Sequence, residues 1–213
     1  MVEASAGPPE DPGGGLVLGA DAVLDGAGAV FCAVGGVEPQ SETVWHQADR
    51  YEVPRIAFVN KLDRQGADFS RVLEMMRDML GAKPLQVMIP IGSGSTFSGI
   101  IDVIAGKAVH FDETSFGARF TLDDIPAEYE AVYRETRDHL WETAAMLEDS
   151  AMEEYFEGRL KPERIRKLLR RGTISGEFVP VLCGAALKNI GIQQLMDAIV
   201  DWLPAPSELP PIC

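Results

Sequence analysis

Asn60-Lys61-Leu62-Asp63 follows directly on the apolar run Arg55-Ile56-Ala57-Phe58-Val59, and its residue types suit recognition of a flat base. Guanine presents N7 and O6 acceptors on one edge and N1–H and N2–H donors on the other. An ionised carboxylate has two acceptor oxygens and takes both donors at once. Asp63 would thereby select guanine against adenine. The Asn60 amide can serve the acceptor edge or tie neighbouring loops together, and the apolar stem of Lys61 can lie across the face of the base. The tetrapeptide alone also fits a solvated turn, since Asn and Asp are good turn formers. The strand in front of it favours base recognition, because ligands of open parallel sheets sit at the carboxyl ends of strands.

Other groups with chemical potential carry blander readings. His46, His110 and His139 fall on a helix, a strand end and another helix, as ordinary surface or half-buried histidines. The pairs Asp123-Asp124 and Glu153-Glu154 read as helix N-terminal and solvated-face charges rather than an acid/base dyad. Gly13-Gly14-Gly15 has no Lys-Ser or Lys-Thr after it and no strand before it, so it does not make a phosphate cradle. Cys32, Cys183 and Cys213 fit neither a disulfide framework nor a metal site; the first two lie in apolar runs and read as small core residues of a reducing compartment.

The elements that would position the tetrapeptide are legible from periodicity. Residues 28–34 form a continuous apolar run ended by Gly35-Gly36, the pattern of a strand buried on both faces. A helix over 39–50 carries Val44, Trp45 and Ala48 on one stripe and stops before Pro54. A second strand over 56–59 delivers Asn60, and a helix over 68–80 closes at Gly81. Two strands joined by such a helix make a parallel βαβ unit. Residues 85–175 interrupt the alternation: runs at 85–91, 99–103 and 108–111 suggest an antiparallel meander, followed by acidic helices at 127–147, 151–156 and 162–171. The βα pattern then resumes with a strand over 178–183, a tight loop Gly184-Ala185-Ala186-Leu187-Lys188-Asn189, and a helix over 192–203 ended by Pro204 and Pro206.

These features predict an α/β fold, an incomplete parallel sheet with flanking helices and an inserted α+β subdomain. The expected organisation is a low-complexity disordered tail over 1–20, a partial nucleotide domain over 21–84 and 176–206, an insertion over 85–175, and an exit linker over 207–213. The 213 residues carry a formal charge of −14, which argues against autonomous nucleic-acid or membrane-surface binding. No apolar stretch approaches the ~20 residues of a membrane span, and the first residues lack signal- and transit-peptide patterns. A cytoplasmic location, or an organellar matrix, is expected.

A family resemblance rests on several segments in order. Gly35-Gly36-Val37-Glu38-Pro39-Gln40-Ser41-Glu42-Thr43-Val44-Trp45 is the first, and Val53-Pro54-Arg55-Ile56-Ala57-Phe58-Val59-Asn60-Lys61-Leu62-Asp63-Arg64 the second. Gly99-Ile100-Ile101-Asp102, Ile125-Pro126-Ala127 and Cys183-Gly184-Ala185-Ala186-Leu187-Lys188-Asn189 continue it. Together they resemble the GTP-binding domain of translation elongation factor G, over roughly residues 23–211, with the insertion corresponding to that family's extra subdomain. The resemblance extends to recycling and ribosomal protection relatives. It implies a P-loop-GTPase-like sheet, a GTP or GDP site, the ribosome as partner and, through the insertion around 127–147, the ribosomal stalk protein.

Carried over residue by residue, the resemblance assigns guanine binding to Asn60, Lys61 and Asp63, and base contact through the backbone to Ala185, Ala186 and Leu187. Ala185 replaces the Ser usual in the family, which removes a hydroxyl contact that would order the loop. The family's phosphate loop, Thr-bearing first switch and Asp-x-Pro-Gly-His second switch have no counterpart in these residues. Gly106-Lys107 is followed by Ala108 and has Ile101 where the first Gly is needed, and Asp11-Pro12-Gly13 lacks the spacer and the His. No catalytic residue is therefore assigned, magnesium is expected only with the full-length family, and GTP binding is expected to be weak. An incomplete gene model, a split gene and a decayed copy account for this equally, as does a non-catalytic stalk-binding module. With the preceding strands absent, residues 28–34 are expected to form an uncovered, aggregation-prone apolar edge.

Overall fold

A computed structural model describes residues 25–111, 119–205 and Glu208. Helix α1 (Pro39–Arg50) starts at an extended Glu38 with Pro39 in the first turn, and buries Trp45 and Ala48 one turn apart. Helix α2 (Phe69–Leu80) is capped at both ends: the Asp68 carboxylate accepts from the Arg71 amide at 3.0 Å, and Gly81 ends it in the left-handed conformation at φ 60°. Its buried face, Phe69, Val72, Leu73, Met76 and Leu80, has helical spacing.

These helices connect a parallel sheet of β1 (Ala27–Cys32), β2 (Arg55–Asn60), β3 (Pro84–Gln86) and β8 (Val179–Cys183), in the order β1-β2-β8-β3. Cys32 pairs with Asn60, and Val59 with Cys183. The carboxyl ends of β1, β2 and β8 thus lie together. Strand β8 is buried along its whole length, as a central parallel strand should be. Strand β1 is different: among the described residues it pairs with β2 alone, and Gly28 and Val30 are exposed, so the expectation of burial on both faces fails.

The insertion contributes an antiparallel sheet of β4 (Met88–Ile91), β5 (Gly99–Asp102), β6 (Lys107–Phe111) and β7 (Phe120–Asp123). The run expected as one strand over 85–91 is split between the two sheets. Val87 is the hinge: its amide donates to Val181 O and its carbonyl accepts from Val103 N, both at 3.2 Å. Leu85 and Gln86, expected to open the insertion, therefore belong to the parallel sheet. Strand β7 went unread because all four of its residues are exposed, leaving no buried face to impose alternation. Helices α3 (Glu130–Ala145), α4 (Asp149–Phe156) and α5 (Pro162–Ile174) follow, then β8 and α6 (Ile192–Trp202).

A single hydrophobic cluster runs from Phe31 and Phe58 through Ile100 and Ile101 to Leu140, Leu168 and Leu182. The insertion is thus packed into the same core as the parallel sheet. Cys183 is buried and Cys32 half-buried. The tail expected over 1–20 lies outside the described residues. So does the linker over 207–213, apart from Glu208, whose carboxylate meets Arg170 at 2.5 Å.

Candidate functional site

Asn60 ends β2, and its side chain decides how the neighbouring loops sit. Asn60 Oδ1 accepts from the Lys61 amide at 2.7 Å and from the Ala186 amide at 2.9 Å, joining segments 126 positions apart. Of the two roles open to this amide, loop tying is the one its oxygen performs. Lys61 adopts φ 67°, a left-handed conformation that non-glycine residues enter at a cost and that concentrates at functional positions.

The free position of the motif is an anchor. Leu62 is fully buried; its amide donates to Gly184 O at 3.2 Å, and its carbonyl accepts from Gly94 N at 2.8 Å. Asp63 is held between buried Leu62 and the surface, with 17% of its side chain exposed, and Lys188 Nζ stands 4.0 Å from its Oδ2. Two oxygens of one carboxylate beside an exposed lysine stem offer the acceptor pair and the apolar platform that a guanine edge and face require.

The second loop is closed by backbone. Ala185 N donates to Ile190 O at 3.0 Å and Ile190 N to Ala185 O at 3.2 Å. Ala185 itself is buried, and this backbone bridge orders the loop. Asn189 turns the chain at φ 56°. Gly184 is required here, because a Cβ would lie 2.1 Å from Ile190 O and 2.9 Å from the Phe58 ring. Leu187 is 89% exposed at the tip. Below the loop, burial pushes the Cys183 thiol far up, leaving it a neutral core group.

All six residues singled out from the sequence, Asn60, Lys61, Asp63, Ala185, Ala186 and Leu187, thus lie on two loops at the carboxyl ends of the adjacent strands β2 and β8. Sequence reading missed three participants: Leu62 as an anchor, Lys188 beside Asp63, and the Ser93–Thr96 turn that carries Gly94. That turn is stabilised by a reciprocal Ser93–Thr96 capping box. Its Gly-Ser composition marked it as a turn, but only the fold brings it under Leu62. His46 and His139 are exposed and His110 half-buried. Among the described residues, no group of three or more His, Cys, Asp or Glu is placed to hold a metal ion. None of the helices described is long and apolar enough to cross a membrane.

A parallel sheet with helical crossovers is an α/β architecture that places its ligands at the carboxyl ends of the strands, where these two loops lie. Residues 15–205 match the elongation factor Tu GTP-binding domain, and the chain belongs to that family. A crystal structure of a protein from Thermus thermophilus superposes with a TM-score of 0.76 over 86% of this chain, at 29% sequence identity. The chain spans 27% of the length of that protein.

Proposed function

We propose that this chain is the base-reading part of an elongation factor G-like GTP-binding protein acting on the ribosome. In this reading, residues 21–84 and 176–206 are a partial GTP-binding domain and residues 85–175 its insertion. Asp63 takes the guanine N1–H and N2–H, Lys61 covers the base face, and the Ala185-Ala186-Leu187 loop sets its backbone against O6, with the Ala185 and Ala186 amides held by Ile190 O and Asn60 Oδ1. The carrying observation is the Asn60 side chain, whose Oδ1 accepts from the Lys61 and Ala186 amides and so ties the two loops together.

Phosphoryl transfer is catalysed by positioning and charge stabilisation from a phosphate loop, its Lys, magnesium and a water-orienting group. The 213 residues carry no Gly-x-x-x-x-Gly-Lys-Ser/Thr sequence. Hydrolysis and magnesium binding therefore belong to protein that supplies those groups. A bidentate base contact is worth about 1–3 kcal/mol, whereas micromolar affinity requires about 8 kcal/mol. The chain alone is expected to bind GTP at millimolar strength or weaker, measured by calorimetry; a low-micromolar dissociation constant contradicts the reading.

A second reading, a stalk-binding module, has one observation in its favour. Val132 and Met146 on and after α3, and Phe156 at the end of α4, are exposed. Binding of the ribosomal stalk protein that persists without nucleotide and is lost on Phe156→Asp would support it.

A further inference from the structure

The peptide that carries Asp63 is held from the side of the insertion. A peptide unit is planar, so the Leu62 carbonyl and the Asp63 amide turn as one body. That carbonyl accepts from Gly94 N at 2.8 Å, and Leu62 is fully buried, so the contact with Gly94 sets the plane from which Asp63 departs. The turn that carries Gly94 is braced within itself: Ser93 N donates to Thr96 Oγ1 at 3.2 Å, and Thr96 Oγ1 to Ser93 O at 2.8 Å. Its entrance is fixed from elsewhere. Gly92 leaves β4 at φ 75°, and a Cβ on it would lie 2.2 Å from Thr96 O, so the turn closes too tightly for a side chain there. Gly92 N donates to Tyr129 Oη at 2.8 Å. Tyr129 stands where the short helical turn Ala127–Tyr129 meets α3, half-buried against the hydrophobic cluster.

We propose, resting on the guanine-binding reading above, that Tyr129 is a positioning residue for Asp63, so that base selection is set in part from the insertion. The phenol oxygen fixes Gly92, the turn carries that constraint to Gly94, and Gly94 fixes the Leu62–Asp63 peptide. The other side of the loop is held independently, by Leu62 N on Gly184 O. The two holds act on different peptides, Gly184 on the Lys61–Leu62 unit and Gly94 on the Leu62–Asp63 unit. Loss of the hold from the insertion therefore loosens Asp63 and leaves Lys61 in place. The Asp63 carboxylate is not tethered by Lys188, whose Nζ at 4.0 Å lies beyond hydrogen-bond reach. Its aim depends on the backbone beneath it, and a binding group must be kept within about 0.5 Å of its productive position by such supports.

Tyr129→Phe removes the acceptor and keeps the ring, and magnetic resonance of the full chain reads the result in two stages. Without ligand, the Gly94 amide is expected to exchange with solvent about five-fold faster, while amides inside α2 keep their rates. The Asp63 amide resonance, which belongs to the Leu62 peptide, is expected to shift. With ligand, the guanosine dissociation constant is expected to rise about three-fold or more while the Lys61 and Ala186 amides still respond. Unchanged Gly94 exchange overturns the proposal, as does faster Gly94 exchange that leaves guanosine affinity as it was. Acceleration of the α2 amides by the same factor overturns it too, since Tyr129 would then contribute only to global stability. If the chain with Tyr129 intact shows no response to guanosine, the guanine-binding reading fails instead. The ligand-free comparison then still decides whether Tyr129 holds the Asp63 peptide: a response confined to Gly94 and Asp63 supports that hold, and its absence overturns it.

Discussion

Asn60 shows how one side chain can tie two loops together. Its Oδ1 satisfies two amides of two loops, one of them on Lys61 in its unfavourable left-handed conformation. Asn60→Ala leaves both amides without that acceptor and is expected to cost about 1–3 kcal/mol in urea denaturation. In the proposed reading Asp63 governs base choice. In Asp63→Asn one guanine donor faces an amide N–H instead of an oxygen, so guanosine binding should fall by about tenfold or more. Xanthosine, which carries a carbonyl in place of the N2 amino group, should bind better than guanosine, and competition titration reads the order. At this scale the sequence was informative where a particular side chain acts, as at Asn60, whose amide ties the two loops. It was silent where the contribution is made by backbone or burial. Leu62 occupies the motif's free position, and nothing in its residue type announces that its amide and carbonyl hold both flanking loops.

At the scale of elements, helices with a buried stripe and a chemical stop were legible to within a residue or two. Helix α2 has both, in Asp68 and Gly81. Strands were legible where they carry an apolar run, and β7, with all four residues exposed, was not. Val87 defeated the reading because one apolar run, 85–91, serves two sheets, and the division rests on hydrogen bonds to Val181 and Val103. The helices of the insertion are joined by Glu148, which accepts from Arg171 at 2.7 Å and also pairs with Arg164. The Arg171 hydrogen bond, followed by the charge and hydrogen bond of Arg164, outweighs partial burial and holds the Glu148 carboxyl below its ordinary 4.5. A depressed carboxylate pKa stabilises the fold above the unfolded value, and the contribution is lost as pH falls through the folded value. Thermal stability should therefore drop below about pH 4.5, and Glu148→Gln, less stable at neutral pH, should show a smaller drop over that range.

For the whole molecule, the decisive fact is that the two candidate loops are built on the inner strands of a sheet whose edges, among the described residues, are β1 and β3. The loops are fixed by β2 and β8, which lie inside that sheet, so their geometry does not depend on what covers β1. This separation supports the central proposal, that these two loops carry guanine recognition. The most direct test is a titration of the isotope-labelled chain with guanosine and with adenosine, following the Lys61 and Ala186 amide resonances. The account predicts saturable shifts at both amides with guanosine in the millimolar range, and none with adenosine. Equal shifts with the two nucleosides, or no shift at these amides with guanosine, would contradict it.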